Sequence, residues 1–436
     1  MVRTVLLVLL SAALLVLPGN SADARYGYHK SGWRKYHRRY SPRAHARNQA
    51  SRATVAMKES AATPELPQRP EKLLTREEIL ASDPARLERL GGRIVVGFDS
   101  FSQVKPLVEK KAIAGIFITD HNVRGRKAQD IAKDIDDLQD IRRRQGLPRL
   151  IVAADQEGGY VSRLSPPLAW QPTLGMLIEK LKTDGEREKA VRRYAETQAR
   201  ELERLGITMN FGPVVDLRLG KPNRNDGETR IYWRAIDDDP YLVAKVAAWY
   251  CDTLTKFNII CTLKHFPGLG RVARDTHVAS ADISARESQL ELSDWVPFRR
   301  VMTEPGVATM IGHVRIDTID NTTPASFSDK VINTVARPRF ANDGLLITDD
   351  FTMGAVTKSR DGIGGAAVKA LNAGIDLILL CSVDKDYDVL MSALIQADQK
   401  GEISRARETA TQERLKHYVF VDERDLPSSA PVQAQQ

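Results

Sequence analysis

Residues 259–268 read Ile-Ile-Cys-Thr-Leu-Lys-His-Phe-Pro-Gly. A short, nearly unbroken apolar run ends in two ionisable residues, and Pro267 and Gly268 then turn the chain. Such a run fits a strand buried on both faces, as in a parallel sheet. The same pattern recurs at Arg93–Asp99, Gly115–Asp120, Leu150–Gln156, Met209–Asp216, Ala308–Val314, Gly344–Asp350 and Asp376–Cys381, which with Ile259–Phe266 makes eight runs. Amphipathic spacers at Ala128–Gln145, Glu186–Leu205, Tyr241–Phe257, Glu287–Met302 and Gly364–Ala373 read as helices, and Arg163–Gly185 as a long loop with a short helix. The alternation predicts an α/β protein built on a single (β/α)8 TIM barrel. The run ends strengthen this reading. Asp99, Asp120, Asp155, Asp216, Lys264, His265, His313, Asp349 and Asp350 close their runs, and a barrel gathers such ends at one mouth.

The composition allows this fold and removes several function classes. With 436 residues, 42% of them hydrophobic, the chain can bury a sizeable core. Disorder throughout and a polytopic membrane protein are both excluded. The net charge of +8 resides in the N-terminal segment: residues 1–52 carry ten Lys+Arg and one acid, and the remainder is near −1. The folded body therefore has no basic footprint for nucleic acid. Cys251, Cys261 and Cys381 cannot form a disulfide framework, and their apolar surroundings predict buried thiols.

Four segments follow. Arg3 precedes the apolar run Val5–Leu17, and Ala22-Asp23-Ala24 follows it. This pattern predicts a signal peptide over 1–24 and export to the periplasm or medium; an uncleaved N-terminal anchor is the alternative. Residues 25–74 read as a basic disordered tail and linker, with nine Lys+Arg and no acid over Arg25–Arg52 and then Pro64, Pro67 and Pro70. The tail has the charge to hold an anionic envelope surface; a solvated tail with no partner is the plainer reading. Residues 75–400 form the catalytic barrel, and 401–436 a helix and polar tail.

The candidate chemistry sits at the run ends. Lys264 and His265 can donate to substrate hydroxyls. In Asp275-Thr276-His277 the acid can orient an imidazole and stabilise its charged form, which suits proton transfer to a leaving group and from water. Asp349 and Asp350 point to opposite faces of their strand, so one of them faces the mouth, where a carboxylate can attack an anomeric carbon. Asp155, in Asp155-Gln156-Glu157-Gly158-Gly159, can accept from sugar hydroxyls.

Five motifs then occur in a familiar order: Asp155-Gln156-Glu157-Gly158-Gly159, Asn210-Phe211-Gly212-Pro213-Val214-Val215-Asp216, Lys264-His265-Phe266-Pro267-Gly268, Asp275-Thr276-His277 and Thr348-Asp349-Asp350-Phe351-Thr352-Met353. Over residues 90–385 the chain resembles glycoside hydrolase family 3, and within it the bacterial β-N-acetylhexosaminidase branch of cell-wall recycling. The resemblance implies that Asp349 is the nucleophile and His277, paired with Asp275, the general acid/base. It implies that Asp155, Arg230, Lys264, His265, Met310 and His313 bind the sugar, that Asp216 organises the site, and that no cofactor or metal takes part. The implied substrate is a β-linked amino-sugar saccharide. Leu269 stands where the family usually carries a second histidine, the Thr229–Arg234 segment is altered, and a signal peptide departs from the usual cytoplasmic location. Alternatives are a β-glucosidase of the same family, a metal hydrolase using His265, Asp275 and His277, and a catalytically degenerate envelope-binding protein.

Overall fold

The computed structural model describes residues 70–221, 229–272 and 274–418. The expected signal peptide, the basic segment through residue 69 and the polar stretch after residue 418 lie outside the described residues. Every one of the eight apolar runs coincides with a barrel strand: β1 Ile94–Gly97, β2 Gly115–Ile118, β3 Ile151–Ala154, β4 Met209–Asn210, β5 Ile260–Phe266, β6 Val307–Ile311, which starts one residue before its run, β7 Leu346–Thr348 and β8 Ile378–Leu380. Each strand pairs in parallel with its neighbour in the chain, β1 pairs with β8, and a bridge between Ile347 and Leu377 joins β7 to β8. The result is an eight-stranded parallel sheet nearly closed as a (β/α)8 barrel.

Successive strand residues point to opposite faces, and this period sorts the core into two layers. Phe117, Ile151, Phe211, Ile260, Met310 and Ile347 fill the interior, with Phe117 and Phe211 stacked at 5.4 Å between ring centroids. Their alternates pack outward against the helices. Continuing the same count past the strand ends brings Asp155, Lys264, Asp349 and Cys381 to the inner side.

The helical layer follows from local signals. Helix Asp184–Leu205 starts with a Thr183–Glu186 capping box and ends at Gly206, whose φ of +87° glycine adopts without penalty. The expected single helix over Glu287–Met302 is two, Glu287–Leu292 and Val296–Val301. Pro297 explains the break, because its ring would clash with the Ser293 carbonyl in a continuous helix. Helices Phe101–Glu109 and Lys385–Gln399, unassigned from the sequence, complete the layer.

Helix Arg405–Tyr418 lies against the N-terminal strand ends. Thr411 Oγ1 and Arg414 Nε donate to Asp376 Oδ1 at 2.7 and 2.9 Å, and Tyr418 Oη donates to the Val307 carbonyl at 2.8 Å. Arg337 donates to the other Asp376 oxygen at 2.7 Å. Burial pushes the Asp376 carboxyl up, but Arg337 and Arg414 outweigh it and hold the group below its usual range.

The cysteines correct the sequence reading. Cys251 and Cys261 form a disulfide, with their Cα atoms 5.2 Å apart, and Cys381 is free. Cys261 is an outward alternate of β5 and Cys251 lies on the inner face of helix Pro240–Thr255. Three scattered cysteines make no framework, yet the barrel's two layers place this pair in contact.

Candidate active site

A cavity of ≈ 360 Å³ opens at the C-terminal ends of the strands. Asp155, Lys264, His265, His277, Met310 and Asp349 all line it, joined by Asp120, His121, Arg163, Thr229 and Arg234. Its floor is apolar, made by Phe117, Phe211, Met310 and Leu379.

On one wall a buried charge network fixes the basic groups. Lys264 Nζ lies 2.5 Å from Asp155 Oδ1 and 2.6 Å from Glu157 Oε1. Arg234 closes on Glu157 in a fork, Nε to Oε2 at 2.8 Å and Nη2 to Oε1 at 2.6 Å. Burial works against the Glu157 charge, but Arg234 and Lys264 outweigh it and hold the carboxyl at about 2. Against an ordinary glutamate this depression corresponds to on the order of 3 kcal/mol of folding stability. Because the folded value is depressed, that stability is full above the unfolded pKa and is lost as pH falls toward 2. Glu157→Gln leaves two buried cations facing a neutral amide, and we expect a loss of roughly 3–5 kcal/mol at pH 7. Urea unfolding at pH 7 and pH 3 checks this: the gap between the two proteins should narrow in acid, and an unchanged gap contradicts the assignment.

On the next wall Asp216 organises the β5 end. It accepts from the His265 backbone N–H at 3.2 Å, from the Leu269 N–H at 2.6 Å, and meets His265 Nδ1 at 2.7 Å. One imidazole nitrogen is thus committed to the wall, and the ring borders the cavity.

His277 enters from the loop after β5. Its Nδ1 is 2.8 Å from Asp275 Oδ1, and that oxygen also accepts from the His277 backbone N–H at 2.9 Å and from Thr229 Oγ1 at 2.8 Å. Asp275 is buried whereas the His277 side chain is 44% exposed. Nδ1 faces its acid, which leaves Nε2 as the atom for proton transfer. The loop is tied to the chain after β7, because the Gly354 N–H donates to the His277 carbonyl at 2.8 Å. A Cβ on Gly354 would stand 2.3 Å from the Val278 carbonyl oxygen, so this approach requires glycine.

Asp349 and Asp350 divide as their opposite directions require. The Asp350 carboxylate accepts from the backbone N–H of Thr352 and of Cys381, both at 2.9 Å, and from Thr352 Oγ1. Asp350 also borders the cavity, but these bonds engage its carboxylate with the chain. Asp349 shares its inward side with Ile347 and borders the cavity, accepting from the Asp350 N–H at 2.9 Å. Burial raises the pKa of Asp349, but the nearby imidazoles of His265 and His313 and the Asp350 N–H turn the balance, and the carboxyl lies below its usual range.

Two expected sugar contacts sit elsewhere. His313 does not border the cavity; it is fully buried, with Nδ1 at 2.7 Å from Ser326 Oγ and Nε2 at 2.9 Å from the Asp350 carbonyl oxygen. It has the outward parity of Ile311, so it holds the Asp350 backbone from behind. Arg230 is exposed and its guanidinium lies over the Tyr160 ring, 5.8 Å from the centroid. Arg234, four residues on at the end of a one-turn helix Ile231–Arg234, is the arginine of this segment that lines the cavity. The segment carries two arginines, and the second of them, not the expected Arg230, reaches the cavity. Glu157, two residues after Asp155, can share that residue's face, which is the sequence signal for its place in this network.

Residues 87–417 match the Glycosyl hydrolase family 3 N terminal domain. Beta-hexosaminidase of Xanthomonas euvesicatoria pv. vesicatoria is 30% identical over 315 residues, spanning 72% of this chain and 88% of its own length. That of Xylella fastidiosa (strain M23) is 33% identical over 299 residues, spanning 68% and 84%. Among solved structures, a glycoside hydrolase family 3 beta-N-acetylglucosaminidase from Paenibacillus sp. superposes with a TM-score of 0.70 at 28% identity, covering 76% of this chain and 61% of that one. A family member from Mycobacterium smegmatis gives 0.68 at 28% identity, covering 78% and 99%. With the family's domain matched over most of the barrel, this chain belongs to glycosyl hydrolase family 3 and is a glycoside hydrolase.

Proposed function

We propose that the protein is an exported, retaining exo-β-N-acetylhexosaminidase that removes terminal β-linked N-acetylglucosamine from cell-wall or chitin-type saccharides. The observation carrying this reading is one cavity bordered by both an ionised carboxylate, Asp349, and an imidazole oriented by a buried acid, His277 with Asp275. The names of the relatives support the acetamido sugar.

Asp349 attacks the anomeric carbon while His277 Nε2 gives its proton to the departing glycosidic oxygen, so the aglycone leaves as an alcohol. A covalent glycosyl-enzyme on Asp349 remains. Neutral His277 then takes a proton from water, the resulting hydroxide oxygen attacks the same carbon, and Asp349 leaves as a carboxylate. Asp155 and Lys264 hold sugar hydroxyls at the wall. These groups supply both nucleophile and proton, so the scheme draws on no cofactor or metal. The disulfide supports export, since such bonds persist in oxidising compartments. By its charge, the basic segment 25–52 suits an anionic envelope surface.

Hydrolysis of chromogenic β-N-acetylglucosaminide and β-glucoside, measured side by side, tests the reading. We expect preference for the acetamido sugar by at least about 100-fold in kcat/KM. Preference for the glucoside moves the chain to the β-glucosidase reading, and silence on both favours a binding protein.

A further inference from the structure

Three large aromatic rings stand exposed on the loops that edge the cavity: Tyr160 at 61%, Trp170 at 59% and Trp233 at 52%. Tyr160 and Trp233 adjoin the lining in the chain, and Trp170 is tied to the Tyr160 turn. Tyr160 precedes the lining residue Val161 and comes six residues after Ala154, the end of β3, and Trp233 lies between the lining residues Thr229 and Arg234. Rings this exposed contribute little to the fold, and grouped beside a site they mark an interaction surface.

The rim is built rather than loose. Tyr160 rides at the tip of a two-stranded hairpin, Gln156–Gly158 with Val161–Ser162. Gly158 and Gly159 turn the chain there with φ of +95° and +62°. A Cβ on Gly159 would meet Thr173 Cγ2 at 2.4 Å, so the tip is pressed against its neighbour. The Trp170 indole N–H donates to the Gly159 carbonyl at 3.1 Å, and the Gly159 N–H donates to the Gln171 carbonyl at 2.8 Å. The Arg230 guanidinium backs the Tyr160 ring. Trp233 meets Tyr232 edge-on at 5.2 Å.

The cavity ends blindly on Phe117, Phe211 and Met310. A saccharide entering with its terminal sugar toward Asp349 must leave the barrel over the rim. A pyranose presents C–H groups on its faces and hydroxyls at its edge. Aromatic faces take the former. We propose that Tyr160 and Trp170, with Trp233 on the neighbouring loop, form the first subsite beyond the scissile bond and take the second ring of a β-linked N-acetylglucosamine oligosaccharide. This rests on the function proposed above and deepens it: the substrate is an oligosaccharide rather than a simple glycoside.

The test compares β-N-acetylglucosaminyl fluoride, which has no aglycone ring, with the β-1,4-linked N-acetylglucosamine trisaccharide. For Tyr160→Ala and Trp170→Ala we expect kcat/KM on the trisaccharide to fall about tenfold each, with the fluoride unchanged. Tyr160→Trp should restore the trisaccharide rate. Equal losses on both substrates, or none on the trisaccharide, overturn the proposal. If the unaltered protein hydrolyses neither, the function reading fails instead. Tryptophan fluorescence on adding trisaccharide then decides the rim: a change absent in both alanine variants upholds it, and a change retained in both, or none in the unaltered protein, overturns it.

Discussion

Asp349→Ala should lower hydrolysis of a chromogenic β-N-acetylglucosaminide by about 10⁴-fold or more, and azide should restore part of the loss as the α-glycosyl azide. The magnitude is that of removing a nucleophile. The stereochemistry is the sharper result. Azide in the space vacated by the carboxylate attacks the face opposite the departing aglycone, which fixes the α product. No rescue, or a β-azide, takes the nucleophile's role from Asp349. The fold should survive the change, because the backbone N–H of Asp349 is held by the Ile311 carbonyl at 2.9 Å independently of its side chain. The imidazoles of His265 and His313 favour the carboxylate against the pull of burial. Asp349 should therefore stay ionised below the ordinary carboxylate range, and any acid limb of kcat/KM at mildly acid pH should arise elsewhere in the site. A limb that disappears in an Asp349 variant with residual activity contradicts this.

His277→Ala should split substrates by leaving group. A saccharide alcohol needs a proton as it departs, and its hydrolysis should drop by about 10²–10⁴-fold. A dinitrophenolate departs without one, so its release should show a burst as the glycosyl-enzyme forms, followed by slow turnover because water has lost its base. Azide should accelerate that second step and give the β-glycosyl azide, the anomer opposite to that from Asp349→Ala. Asp275→Asn should give a milder version of the same split, since Asp275 orients His277 at 2.8 Å without touching substrate. Uniform losses across leaving groups would remove His277 from the acid/base role.

The barrel was legible because its signals are local and repeated. Each strand is a short apolar run with a polar end, and eight of them leave few alternatives. The cavity was legible where strand period and chemistry agree. Asp155, Lys264, Met310 and Asp349 have the inward parity of Ile151, Ile260, Ala308 and Ile347. His313 has the parity of Ile311, so the same count places it outside, a step that type and position alone passed over. Arg230 and Arg234 lie beyond any strand, where no period applies. Only the pairing with Glu157, 77 residues earlier in the chain, separates them. The disulfide is hidden for a related reason: its ten-residue separation runs from a helix into a strand, and the layer packing brings the sulfurs together. In Glu287–Met302 the break is legible in the sequence itself, because Pro297 cannot continue a helix.

The helix Arg405–Tyr418 closes the end of the barrel opposite the mouth, its Tyr418 beside Leu150, Thr208 and Ile260. At the other end of the described chain, Glu71 is tied to Gln396 and Lys400, at the far end of the helix that returns from β8. Both chain exits thus lie away from the opening. Immobilised through an affinity tag after residue 418, the protein presents its opening away from the support, so insoluble glycan can be offered to a coated surface without the attachment blocking entry.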